Sequence, residues 1–149
     1  MSAADALVLA AYAGSVWGMV GLIWFVQRVH YPAHARVPAD AYLGYQAQHI
    51  ARTGPVVGPL MAVELGATVW LCLSPPPGVP PWIPWLGLAT VAINWASTAL
   101  LQIPRHRVLA RGFDAGAARS LVTTNWIRTA AWTAHGVLAA AAIVTALTA

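Results

Sequence analysis

The stretch that decides the fold is Pro55 to Leu73, PVVGPLMAVELGATVWLCL, nineteen residues with one charge, Glu64. A bilayer core of about 30 Å needs ~20 apolar residues in helix. This segment therefore reads as a membrane span. Working outward, three more stretches meet the same test: roughly Ala4 to Gln27, Trp82 to Ile103, and Leu121 to Leu147. The expected architecture is all-α, a single domain over residues 1–149, in which helices of about 4–27, 55–73, 82–103 and 121–147 form an integral membrane four-transmembrane-helix bundle.

Composition agrees. The chain is 59% hydrophobic and 8% charged, against roughly 25% charged in soluble domains. Its net charge of +4 comes from eight arginines and no lysine, and their positions set topology instead of marking a nucleic-acid patch. Arg28, Arg36 and Arg52 surround the first connector; Arg105, Arg107, Arg111 and Arg119 surround the third. The connector between them, SPPPGVPPWIP, has no charge. The positive-inside rule places both basic loops in the cytoplasm, with the proline loop and both termini outside. Trp82 and Trp85 then suit an outer aromatic belt. No arginine precedes Arg28, so the first span is expected to be retained and not cleaved as a signal. The lone Cys72 reads as packing.

Within the first connector, Pro38 and Asp40 resemble a helix start. At 100° per residue, Tyr42, Tyr45, Gln46, His49 and Thr53 share one face, which predicts a short cytoplasmic amphipathic helix before the second span. Gly14, Gly18 and Gly21, and separately Gly58, Ala62 and Gly66, recur at packing intervals. Such stripes serve internal packing or a homo-oligomer interface, and a compact bundle is expected to claim most of them internally.

Glu64 lies about ten residues into its span, ~15 Å at 1.5 Å per residue, near the bilayer midplane. A carboxylate there needs compensation, and intramembrane ionisable groups are functional candidates by default. On the fourth span Asn125, Arg128, Trp132 and His135 fall within about 80° on a helical wheel, so Arg128 is the expected partner of Glu64, directly or through one intermediary. Asn94 and Gln102 add polar groups on the third span, where interhelical hydrogen bonding is their simplest role. Of the histidines, His30, His34, His49 and His106 fall toward the cytoplasmic side. Pro32 separates His30 from His34, and no HExxH or repeated ExxH pattern occurs, which predicts no cofactor and no catalytic metal. Were iron, copper or zinc present, imidazole and carboxylate from His30, His49, His106 and Glu64 are the ligands. Phosphate loops, CxxC pairs and nucleophile elbows are absent.

Two segments, QIPRHRVLARGFDAGAARSLVTTNWIRTAAW (Gln102 to Trp132) and VHYPAHARVPADAYLGYQAQHI (Val29 to Ile50), resemble the anthrone oxygenase-like family of small four-helix membrane proteins. Pro104, His106, Asn125, Arg128 and Thr129 occupy the family's pattern of Pro at a helix end, a polar residue two positions on, and Asn-x-x-Arg-Thr entering the last helix. The resemblance implies a membrane enzyme that oxygenates a small apolar, polycyclic carbon acid. His49 or His30 is then the base, Asn125 and Arg128 stabilise the oxyanion, and Glu64 orients Arg128 or a histidine. Tyr42, Tyr45, His106, Trp132 and Gln102 are the expected substrate-binding residues. The other function class is a non-catalytic membrane module that binds a lipid, small molecule or partner protein, or a His/Glu metal-binding membrane protein. A cytoplasmic-side pocket joining His49, His106, Glu64 and Arg128 favours the enzyme; solid packing there favours the module.

Overall fold

The computed structural model describes the whole chain, Met1 to Ala149. It is all-helical. Four helices are long and apolar enough to cross a membrane: α1 (Ala3–Arg36), α2 (Tyr42–Leu73), α3 (Trp82–Leu109) and α4 (Ala115–Leu147). Short connectors join them, and each packs on its neighbours in a closed ring: α1 on α2 and α4, α3 on α2 and α4.

Local signals set the helix ends. Ser2 and Asp5 close a reciprocal capping box at the start of α1, satisfying two backbone donors that the helix itself cannot pair. The Asp114 carboxylate caps α4 by accepting from the Ala117 N–H at 2.6 Å. Gly78 turns the proline connector with φ +84°, and a Cβ there would lie 2.6 Å from the Thr145 carbonyl oxygen. Only glycine meets both demands.

Every helix extends beyond its expected cytoplasmic-side limit, and in α1, α2 and α3 it does so through prolines. The second helix begins at Tyr42, not at 55, and runs through Pro55 and Pro59; the expected separate amphipathic helix is its first three turns. The first helix continues past Gln27 through a π turn, Val26–His30, and α3 continues past Ile103 after a second one, Thr98–Gln102. In each case a proline, Pro32 or Pro104, sits in the first turn that follows. A π turn widens the coil just where the proline ring would otherwise press on the preceding turn, and such turns recur at functional sites.

The core runs along the bundle axis. Tyr12, Val16, Met19 and Ile23 line one face of α1 and meet Met61, Leu71, Ile83, Trp132 and Ala139. A smaller cluster, Tyr31, Tyr42, Leu109, Ala118 and Leu121, closes the other end. The interior also buries Gln27, His34, Gln46, Glu64, Asn94, Gln102, Asn125, Arg128 and His135, while Trp17, Trp70, Trp82, Leu86 and Val137 are exposed. Polar inside and apolar outside suits hydrocarbon as the surrounding solvent. The glycine stripes mostly stay outside the internal contacts. Gly18 faces Leu60 of α2, but nothing lies within 4 Å of a Cβ built at Gly14, Gly21, Gly58 or Gly66.

Candidate functional site

The α1 π turn, the first turns of α2 and the last turns of α3 converge at the arginine-rich end of the bundle. They bring four imidazoles together there. His30 Nε2 lies 2.8 Å from His49 Nδ1, with the rings stacked at 4.5 Å between centroids. Two protonated imidazoles at that distance would repel, so at least one of the pair is neutral. Thr53 Oγ1 also reaches His49 Nδ1, at 3.1 Å. His49 Nε2 is left without a hydrogen bond.

His106 is held at both nitrogens. Gln46 Nε2 donates to Nδ1 at 3.1 Å, and Nε2 faces the Tyr31 hydroxyl at 3.2 Å. Accepting at Nδ1 puts the proton on Nε2, which then donates to Tyr31. His34 is fully buried, pairs its Nδ1 with the Tyr42 hydroxyl at 2.9 Å, and has no partner for Nε2. Tyr45 packs edge-on against His34 at 5.2 Å.

Beside this cluster a cavity of about 390 Å³ opens between α2 and α3. Ile50, Val57, Ile103 and Ala110 supply apolar wall; Tyr31, His49, Gln102, His106 and Arg128 supply its polar groups. Arg128 is buried, donates to Asn125 Oδ1 at 3.2 Å and has no carboxylate partner. Its Nε is unpaired. Asn125 in turn donates to Gln27 Oε1 at 2.8 Å, so α1 fixes the group that orients the guanidinium. A buried cation without a counter-anion is costly unless a ligand completes it.

Glu64 belongs elsewhere. Its carboxylate accepts from Trp132 Nε1 at 3.0 and 3.1 Å and pairs with His135 Nδ1 at 2.7 Å, all deep in the core. It does not line the cavity, and no direct Glu64–Arg128 contact forms. Arg128 stacks over the Trp132 ring at 4.9 Å, which makes the indole the link between them. The reason is depth: Arg128 lies two turns from His135, and only the intervening tryptophan spans the gap.

Thus His49, His106 and Arg128, three of the four residues expected at one pocket, line the cavity together with Gln102, and the fourth, Glu64, does not. His30 stands behind His49, Asn125 and Trp132 support Arg128, and Tyr42 and Tyr45 join the histidine cluster away from the cavity wall. As a metal-ligand set, His30, His49, His106 and Glu64 do not converge, because Glu64 is tied into the core. Tyr31 does not figure among the residues expected from sequence, Gln46 figures only as a neighbour of His49 on one helix face, and His34 only as a histidine toward the cytoplasmic side. The i, i+4 spacing of His30 and His34 is the signal for the last, since the helix continues through Pro32. No protein-family model, curated protein or solved structure matches the chain.

Proposed function

We propose that the chain is a multi-pass membrane protein, with its basic connectors cytoplasmic and both termini outside, whose cavity is the site of a small oxygenase. The observation that carries this reading is the pairing, in one mostly apolar cavity, of an imidazole, His49, whose Nε2 has no hydrogen-bond partner and a buried guanidinium lacking an anion. A substrate that becomes an anion by losing a proton uses both. The apolar walls suit a flat, hydrophobic molecule taken from the bilayer between α2 and α3, and the family resemblance points to a polycyclic carbon acid such as an anthrone.

His49 Nε2 takes the C–H proton while Nδ1–H is held by His30 or Thr53. The negative charge spreads onto the substrate oxygen, where Arg128 stabilises it from a site with little water. Molecular oxygen reacts with this carbanion; the methylene becomes a carbonyl, and the second oxygen atom leaves as water with the two methylene hydrogens. No cofactor takes part in this scheme. Asn125 orients Arg128, while Glu64 holds Trp132 beneath it and acts on the site only through that ring.

Oxygen uptake by purified protein in lipid nanodiscs, with anthrone as probe, tests the reading. Quinone formation above the spontaneous rate, lost in His49→Gln and in Arg128→Gln, supports it. Saturable anthrone binding with no uptake above that of His49→Gln overturns the enzyme in favour of a binding module.

A further inference from the structure

We propose that His30, His34 and His49 form a binding site for a divalent transition-metal ion, zinc or copper by ligand type. One ring nitrogen from each lies within 4.8 Å of those offered by the other two. Nitrogens bound at ~2.0–2.1 Å around a tetrahedral ion sit roughly 3.3 Å apart. Closure from within 4.8 Å to that spacing is a movement of roughly 1.5 Å at most. The shortest separation, 2.8 Å between His30 Nε2 and His49 Nδ1, is a shared proton that an ion replaces.

His34 is the observation that points to a ligand. Its ring is 0% exposed, and its Nε2 has no partner of any kind. The Tyr42 hydroxyl, 2.9 Å from Nδ1, can accept an Nδ1–H, and in that tautomer Nε2 presents a bare lone pair inside a cluster of imidazoles. Metal-bound histidines are oriented in this way, by an outer hydrogen bond that fixes the tautomer. An all-imidazole set suits zinc, copper, iron or nickel, and zinc and copper are the two for which three histidines suffice most readily. His106 stays outside the set because Gln46 and Tyr31 already occupy its nitrogens.

The site goes beyond the proposed reaction and competes with it. An ion on His49 Nδ1 forces that ring's remaining proton onto Nε2, so the metal-loaded protein has no free base at the cavity. Zinc therefore inhibits proton abstraction, and the cation acts as a ligand of its own in the substrate-free protein.

Protein purified without a polyhistidine tag, stripped with chelator and titrated with Zn²⁺ by calorimetry, tests the site; Co²⁺ serves as its visible probe. One ion binds per chain, more weakly as pH falls and the imidazoles protonate, and Co²⁺ gives the intense bands of a tetrahedral nitrogen site. Tyr42→Phe weakens Zn²⁺ about 10- to 100-fold, His34→Gln more than that, and His106→Gln leaves it near wild type. Should His34→Gln fail to fold, Tyr42→Phe and the wild-type Co²⁺ spectrum decide. Absence of one-to-one binding, a pale octahedral Co²⁺ spectrum, or loss in His106→Gln with retention in Tyr42→Phe overturns the site. Those outcomes leave the oxygenase reading standing, since anthrone oxidation is then measured on the same chelator-stripped protein, where no ion occupies His49.

Discussion

Arg128 lies over the face of Trp132, 4.9 Å from the ring centroid, while the same indole donates its N–H to both oxygens of Glu64. The guanidinium at the cavity and the carboxylate in the core are thereby joined through one side chain. Trp132→Phe keeps a ring under Arg128 but removes the donor from a buried carboxylate. It is expected to destabilise the protein by about 1–3 kcal/mol, the cost of leaving such a group unsatisfied. In thermal melts, Trp132→Phe and Glu64→Gln then combine non-additively, whereas Glu64→Gln and Arg128→Gln come closer to additive. A larger coupling for the second pair would contradict the linkage.

Gly87 separates helical glycines that pack from those that do not. A Cβ there meets His135 Nε2 at 2.9 Å and the Tyr12 hydroxyl at 3.3 Å, in contrast to the open space at Gly58 and Gly66. Gly87→Ala is expected to lower stability by about 1–3 kcal/mol through overpacking. Gly58→Ala and Gly66→Ala stay within about 0.5 kcal/mol in the monomer. A concentration-dependent loss at Gly58 or Gly66 would reveal a contact between chains instead.

The four apolar stretches were legible because hydrocarbon demands length and low charge, and both are properties of sequence. The helix ends were not. Pro32 reads as a break between His30 and His34, Pro55 as the start of a span and Pro104 as a helix end, yet in an apolar bundle neighbouring groups and local π turns absorb prolines. Apolar length alone stops α1 at Gln27 and starts α2 at Pro55, and the i, i+4 relation of His34 to His30 depends on helix continuing through Pro32. His49, His106, Gln102 and Arg128 were visible as polar groups at the ends of apolar helices. The roles of Tyr31 and of Gln46 were not, because both fix the His106 tautomer, a matter of hydrogen bonds between helices that no local pattern records.

Topology is open to chemical labelling in a Cys72→Ala background. Cysteines at Ala35 and Ala115, both exposed, should be shielded from an impermeant reagent in intact cells. The outer loop needs Ser74→Cys, since Gly78 tolerates no side chain. Labelling at Ser74→Cys alone supports the proposed orientation, and the reverse pattern inverts it.

Arg128 offers the sharpest test of the cavity, because its charge and its shape can be varied apart. A planar, ionisable analogue of the oxygenated product, such as a hydroxyanthraquinone, exists as neutral phenol or as phenolate depending on pH. If the buried guanidinium awaits an anion, the phenolate binds wild type more tightly than the phenol, by the roughly 1.5–3 kcal/mol that a hydrogen bond to a charged group contributes. Arg128→Gln removes that preference while leaving the apolar walls intact, so phenol binding persists and the pH dependence of affinity flattens. Arg128→Lys restores charge without the planar fork that Asn125 orients, and recovers only part of the preference. His49→Gln, by contrast, leaves phenolate affinity close to wild type, since its proposed role is to take a proton that the analogue has already lost. Titration of ligand absorbance at two pH values on either side of the phenol pKa reads all four proteins. Equal affinity for phenol and phenolate in wild type, or an unchanged preference in Arg128→Gln, would show that Arg128 does not face an anion in this cavity.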